Sequence, residues 1–303
     1  MSKEKFVDLH IHSYHSDGLL SPGEIVNYAS KRNLTAIAIA DHDTTSGIPE
    51  AIEEGKKVNI EIVSAVELSA EIENSIGDKS SLKSKEIHIL GYYIDWKDIA
   101  FQEKLHFFRQ KRKERARLIY EKLVKLGIKL NPEILENISK EERSFGRLHF
   151  ARALIKEGYV SNITEAFQLY LDYGKPAYVK KICFKPKEAI ELIIHLGGIP
   201  ILAHPYFTAL EEIISPLVSF GLRGIEVWHS KHSSSHNWRL ISLAKKQGLL
   251  MTGGSDFHGE MDKKTSLIGS LKIPYSVLKE MKQCLPGKDI LRSLPEVINQ
   301  VES

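Results

Sequence analysis

The stretch DLHIHSYHSDG, residues 8–18, ends an apolar run that begins at Lys5 and is followed closely by Ser21-Pro22-Gly23-Glu24. A short apolar run bounded by turn residues marks a buried strand, here Lys5 to Ile11. Ser21 as N-cap, Pro22 in the first turn and Glu24 three residues after the cap form a capping-box start. The helix it opens is expected to run to about Lys31, with Ile25, Val26 and Ala29 on its inner face. A strand feeding a helix, if repeated, implies parallel strands joined by crossover helices.

The unit repeats. Further strand-like runs span Ala36 to Ala40, Ile60 to Val66, Glu86 to Tyr93, Ile199 to Ala203, Gly224 to Trp228 and Leu250 to Gly254, seven in all. Most are separated by helical stretches, so the chain is expected to be α/β; periodicity alone does not choose between an open sheet and a barrel. The alternation breaks between Ile99 and Lys175. There four helical patterns follow one another without a strand: Phe101 to Leu126, Pro132 to Ile138, Arg147 to Glu157 and Thr164 to Asp172. Residues 100–175 are therefore expected to form an inserted helical cap between two body segments, 1–99 and 176–303, where an insertion commonly rises over a site. Asn74 to Lys85, rich in Ser, Asn, Lys and Gly, is expected to be a mobile surface loop.

The composition excludes special classes. Of 303 residues, 42% are hydrophobic and 27% charged, with 20 Gly and 11 Pro, as in ordinary globular proteins and unlike disordered or collagen-like ones. The net charge of +3 is well short of what a nucleic-acid-clinging domain carries. Cys183 and Cys284 form no C-x-x-C pair, which excludes a thiolate zinc knuckle and fits a reducing cytoplasm. The N-terminus has no apolar core, and the run LIIHLGGIPILAHP is broken by His, Gly and Pro before spanning length, so a cytoplasmic protein without a membrane partner is expected. No feature points to a stable protein partner.

Every strand delivers an imidazole or a carboxylate. The first ends in DLHIHS with Asp17 beyond, the second in ADHD (40–43), the third at Glu67; the fourth carries His88. The fifth ends in AHP at His204, the sixth passes through Glu226 to His229, and the seventh ends in SDFH at Asp256 and His258. In parallel α/β folds the carboxyl ends of the strands share one rim, where sites are built. A lone histidine there is ordinarily a hydrogen-bonded structural residue. His10-x-His12 is more specific, because residues i and i+2 of a strand face one side and can chelate one ion, and Asp256-x-His258 repeats that spacing. Unpaired buried polar ends would cost several kcal/mol each, on the order of 2–7 for a neutral group and more for a charge, and a metal centre removes that cost. Nine ligand candidates, His10, His12, Asp17, His42, Glu67, His88, His204, Asp256 and His258, suggest two or three ions with a carboxylate bridging. All are nitrogen or oxygen donors, which suit Mn2+, Fe2+ or Zn2+, with Mg2+ also possible. Asp8 and Asp41, beside ligands, are expected to fix an imidazole tautomer.

As a set, DLHIHSYHSDG, ADHDT, Glu67, the His88 strand, AHP and SDFH resemble the PHP (polymerase and histidinol phosphatase) family along the whole α/β body. The resemblance implies a distorted seven-stranded (β/α) barrel with a trinuclear site. His10, His12, Glu67 and Asp256 would hold one ion; Glu67, His88 and His204 a second; Asp17, His42 and His258 a third. EIHILGYYID and GRLHFARALI are similar to a bacterial subgroup of nucleoside 3′,5′-bisphosphate and AMP phosphatases and short-RNA exonucleases, although Leu148 stands where that subgroup usually has proline. By that likeness Mn2+ is the favoured ion, and a metal-activated water beside Glu67, His42 and His204 would attack the phosphate ester of a nucleotide or short RNA. Arg147, a bidentate phosphate fork, would reach down from the cap with His149. Asp43 and His229 complete the expected substrate contacts, and His229 or His232 would protonate a leaving group. Lys180 and Lys181 face either substrate or solvent; His15, His106 and His195 are expected to be structural.

Three alternatives stand beside this expectation. A phosphatase of another small monoester, such as histidinol phosphate, would use the same ligands. An amidohydrolase would show eight strands and a bridging lysine. A noncatalytic metal-binding module would lack ligands, and none is missing. The charge is unevenly placed: residues 101–125 carry nine Lys or Arg against three Glu, so a basic cap helix is expected above an acidic barrel, steering polyanions toward it.

Overall fold

In the computed structural model, which describes residues 4–72, 85–140, 143–205, 210–259 and 267–285, the run around residue 8 is strand β1 (Phe6–Ile11). Helix α1 (Pro22–Lys31) follows with its capping box made in both directions: Glu24 N donates to Ser21 Oγ at 3.1 Å and Ser21 N to Glu24 Oε2 at 2.7 Å. Ile25, Val26 and Ala29 are buried. Strand β2 (Leu34–Ile39), helix α2 (Ile48–Val58) and strand β3 (Glu61–Ile72) repeat the unit, and β1, β2 and β3 pair in parallel.

The next strand departs from the expectation of a uniformly parallel sheet. Strand β4 (Lys85–Tyr92) runs antiparallel to β3, because β3 continues to Ile72 and the chain returns alongside it. The polar stretch between them carries no apolar stripe to build a crossover helix, and an antiparallel return needs none. Most of the expected 74–85 loop lies outside the described residues. His88 consequently lies within a strand, opposite Ser69, rather than at a strand end.

Helices α3 (Ile99–Lys125), α4 (Glu133–Ser139), α5 (Arg147–Lys156) and α6 (Ile163–Ala166) follow, the last running into a π-helical turn, Phe167–Leu171. Ile119, Leu123, Phe145, Phe150 and Leu171 share an apolar cluster of their own, whereas Phe101, Leu105 and Phe108 at the start of α3 pack into the barrel's cluster. One helix thus belongs to both cores. Beyond it come α7 (Pro186–His195), β5 (Ile199–Leu202), α8 (Leu210–Ser219), β6 (Gly224–His229), α9 (Ser234–Gln247), β7 (Leu250–Gly254), β8 (Ile273–Pro274) and α10 (Ser276–Gln283).

The sheet order is β7-β6-β5-β4-β3-β2-β1-β8, with the two-residue β8 antiparallel on the start of β1. At the other end of β1 the barrel nearly closes: Asp256 N donates to His10 O at 2.8 Å, and Ile11 bridges Phe257 in parallel. A Cβ on Gly254 would lie 2.3 Å from His10 N, so a glycine is required for β7 to come this close to β1. The fold is the expected distorted barrel, with an eighth short strand that the sequence did not announce.

Candidate metal centre

The near-closure of β1 on β7 brings His10, on β1, and His12, just after it, to Asp256, just after β7. Their Nε2 atoms lie 3.1 Å apart, and each approaches Asp256 Oδ1, at 3.6 and 3.2 Å. Glu67, fully buried on β3, is the hub. Its Oε2 lies 3.3 Å from His10 Nε2, 3.2 Å from His12 Nε2 and 3.0 Å from His42 Nδ1. Its Oε1 lies 2.9 Å from both His88 Nδ1 and His204 Nε2.

These contacts suit an ion better than hydrogen bonds. Despite its three imidazole neighbours, Glu67 Oε2 accepts no hydrogen bond of acceptable geometry, and Asp17 Oδ1 and His42 Nδ1 are likewise buried without one. Four donors about 2.0–2.2 Å from a tetrahedral ion stand roughly 3.3–3.6 Å apart, from simple trigonometry on ordinary zinc bond lengths. His10, His12 and Asp256 stand 3.1 to 3.6 Å from one another, and Glu67 Oε2 stands 3.3 Å from His10 and 3.2 Å from His12. His12, Asp17, His42 and His258 converge as a further group, with His258 Nε2 3.3 Å from Asp17 Oδ1 and His42 Nε2 3.8 Å from Asp17 Oδ2. All nine expected ligand positions therefore meet in one place, and the residues present fit divalent metals.

The backbone is bent to do so. Asp43, His204 and Asp256 hold positive φ, at 50°, 25° and 54°, a region that costs non-glycine residues energy and that collects at functional sites. Asp8 and Asp41 do not fix imidazoles. Asp8 accepts from Ser255 N and Gly269 N, both at 2.9 Å, and Asp41 from Ser13 N at 2.8 Å and from the Ser13 and Ser16 hydroxyls at 2.5 Å. Orientation falls to Glu226 on β6, whose Oε1 lies 3.0 Å from His10 Nδ1 and whose Oε2 accepts from His204 N at 2.8 Å.

Without metal, the cluster balances its charge with protons. Burial opposes a charge on His12, but the carboxylates of Asp256 and Glu67 outweigh it and raise the ring to about 10. Burial is likewise overcome at His88 by Glu67 and Glu86, to about 9. Glu67 is held well below the carboxylate range, because His42, His88 and His10 outweigh the effect of burial. Ions must displace the ring protons. Titration calorimetry in buffers of different ionisation enthalpy is expected to show protons released on metal binding at pH 7.5; buffer-independent heats would refute this. A histidine whose folded-state pKa is raised stabilises fully below its unfolded value, 6.5, and loses that contribution as pH rises through the folded value. The metal-free protein should therefore weaken between about pH 6.5 and 10 on account of these rings.

Seven of the nine candidate ligands, all but the fully buried His10 and His12, line a cavity of about 740 Å3 whose wall toward the cap is cationic: Arg112, Arg115, Arg147 and Lys181. Of the expected substrate residues, Arg147 and His229 line it. Asp43 does not; it is buried in an ion pair with Arg112 and accepts from Ser69 N at 2.9 Å. His149 does not either, since its Nδ1 accepts from Gly146 N at 3.1 Å, its ring stacks on Phe145, and burial lowers it to about 4. His232 is turned away to Val227 O at 2.8 Å. The α3 cations are not all a solvated face, for Arg109, Arg112, Lys113 and Arg115 are buried. Arg112 and Arg115, three apart on α3, were legible only as part of that basic run, and Arg152, which donates to the carbonyls of Asp17 at 2.5 Å and His258 at 3.2 Å, gave no signal at all.

The comparisons with known proteins agree with this geometry. The family model for the PHP domain matches residues 8–130. A 3′,5′-nucleoside bisphosphate phosphatase of Chromobacterium violaceum is 32% identical over 257 residues, 83% of this chain and 87% of that protein. A 5′-3′ exoribonuclease of Haemophilus influenzae is 34% identical over 259 residues, 84% of this chain and 90% of that protein. A solved structure from Bifidobacterium adolescentis, described as a candidate metal-dependent phosphoesterase, superposes with a TM-score of 0.80 at 25% identity, covering 94% of this chain and 98% of that one. No helix among the described residues is long and apolar enough to cross a membrane. With a bisphosphate phosphatase and an exoribonuclease at this identity and coverage, and the PHP domain model matching from Asp8 onward, the chain belongs to the PHP family of metal-dependent phosphoesterases.

Proposed function

We propose that the protein hydrolyses the phosphate ester of a nucleoside 3′,5′-bisphosphate or of a short 5′-phosphorylated oligoribonucleotide. The observation that carries this reading is that one cavity holds both the ligand cluster and the cationic wall of Arg112, Arg115, Arg147 and Lys181, two places for anions. A simple monophosphate such as histidinol phosphate would use only the first. His10, His12, Glu67 and Asp256 would hold one divalent ion, Glu67, His88 and His204 a second, and Asp17, His42 and His258 a third, with Mn2+ favoured. Bound ions supply Lewis acidity toward phosphoryl oxygens and a water nucleophile effective near neutral pH.

The chain's own groups position the substrate. Arg147 lies at the cavity wall with its Nη2 3.5 Å from Glu86, and its guanidinium fork suits a phosphate. His229, buried with its Nε2 3.2 Å from Asp256 Oδ2, steadies that carboxylate and is placed to pass a proton to a leaving oxygen. The 100–175 cap would hold the loop that follows β1 through the segment just before α5: Ser144 N donates to His15 O at 2.7 Å, and Arg143 Nε to Tyr14 O at 2.7 Å.

The test is a panel of AMP, nucleoside 3′,5′-bisphosphates, short oligoribonucleotides and histidinol phosphate with Mn2+-loaded protein. Bisphosphates and oligoribonucleotides are expected to lead, and equal inertness of loaded and chelated protein would end the proposal. Arg152→Ala frees the carbonyls of Asp17 and His258, and outer-sphere partners of this kind typically carry about 10- to 100-fold in metal affinity. Metal titration should show one ion weakened by that factor with the tighter ions unchanged; uniform weakening would contradict the assignment.

A further inference from the structure

A second cavity, of about 430 Å3, adjoins the first and shares Glu86, Arg115, Arg147 and Lys181 with it as a common neck. Beyond the neck it is lined by the segment that leaves the π-helical turn, with Tyr173, Lys175, Tyr178 and Lys180. Five cations border this cavity against three carboxylates: Glu86 lies 2.6 Å from Lys181, Glu71 3.3 Å from Lys180, and Asp172 3.8 Å from Arg147. The balance favours an anion. Tyr173 is 57% exposed, and its ring meets that of Tyr178 edge-on at 5.4 Å.

Cations following a groove beside exposed aromatic faces form the ordinary platform for single-stranded nucleic acid, whose phosphates seek the charges and whose bases stack. A nucleoside bisphosphate with one phosphate at the ligand cluster and the other at the cationic wall would be held within the first cavity. A longer chain with its terminal ester at the metal cluster can continue past the neck into the adjoining cavity. We propose that the second cavity is a subsite for the adjoining nucleotide of a single-stranded oligonucleotide, Tyr173 and Tyr178 receiving its base and Lys175 and Lys180 its backbone phosphates. The assignment rests on the phosphoesterase reading above and deepens it by giving the oligoribonucleotide named there a place for its second nucleotide.

The test uses the full chain loaded with Mn2+ and a fluorescent, 5′-phosphorylated pentaribonucleotide with phosphorothioate linkages, read by anisotropy, with turnover of a nucleoside 3′,5′-bisphosphate measured in parallel. Tyr173→Ala should raise the oligonucleotide Kd about tenfold, the lower range of a lost base stack, while Tyr173→Phe keeps it near wild type. Lys175→Ala with Lys180→Ala should flatten the dependence of log Kd on log salt by roughly 1.4, two single-strand phosphate contacts. Bisphosphate turnover should stay within about twofold in all three. Wild-type protein that does not bind the oligonucleotide, variants that bind it unchanged, or variants that lose bisphosphate turnover in parallel would each overturn the subsite. Wild-type protein that binds the oligonucleotide yet hydrolyses nothing on the panel would instead refute the catalytic reading and leave the subsite standing.

Discussion

Glu67→Ala is expected to lower phosphoesterase kcat/KM by about 10³-fold or more, with the fold retained. Glu67 is within 2.9–3.3 Å of His10, His12, His42, His88 and His204, and among the described residues no other carboxylate joins so many of the candidate ligands. A Lewis-acid centre is worth several kcal/mol of transition-state stabilisation, and about 4 kcal/mol corresponds to three orders of magnitude in rate. The same change removes the negative charge that keeps His88 protonated to about 9 and contributes to holding His12 near 10. The metal-free variant should therefore lose much of the stability change between pH 6.5 and 10, a signature that simple misfolding would not produce. Glu67→Gln, nearly the same shape but neutral, should share both effects. Retention of more than a tenth of wild-type activity by either variant would exclude Glu67 as the hub.

The largest effect on stability is expected at Arg112. Its Nε donates to Asp43 Oδ2 at 2.7 Å and its Nη2 to Ser69 Oγ at 2.9 Å, with the pair buried between α3 and the loop that carries His42. Replacing Arg112 with methionine strands the Asp43 carboxylate, and breaking a buried pair in this way costs about 3–5 kcal/mol. Asp43→Asn on that background removes the stranded charge, and asparagine tolerates the positive φ there. The double variant should be more stable than Arg112→Met alone, a coupling that denaturant unfolding of the full cycle measures directly. Burial raises the Asp43 pKa, but Arg112, helped by Lys181 and the Ser69 backbone amide, more than offsets it, so the folded value is lowered below 3.8. The stability supplied by the pair is then present above that pH and fades as pH falls through the folded value, and the gap between wild type and Arg112→Met should narrow in acid. Equal stability of Arg112→Met and wild type near neutrality would show the pair to be energetically idle.

The PHP relationship was legible because the ligands are local in sequence. His10 and His12 lie two apart on one strand, and Asp256 and His258 repeat the spacing, so period-two geometry and residue chemistry expose them before any contact is known. The capping box at Ser21 and Glu24 was legible for the same reason. The direction of β4 was not, since an apolar run reads alike whichever way it pairs. Nor were the supporting roles. Asp8 and Asp41 stand beside ligands in sequence but face backbone amides and hydroxyls, while Glu226, more than two hundred residues from His10, orients its ring.

The sequence by itself determined the strand-helix repeat, the run of helices between β4 and β5 and the candidate donor residues, all written in short-range pattern. Only the tertiary structure decided that Glu67 joins five imidazoles, that Asp43 serves Arg112 rather than the cavity, and that cap arginines hold the ligand loops. Those contacts join residues up to 137 positions apart, and which buried charge meets which is set by barrel closure and by the need to pair every charge removed from water, neither of which is a property of any short stretch of chain.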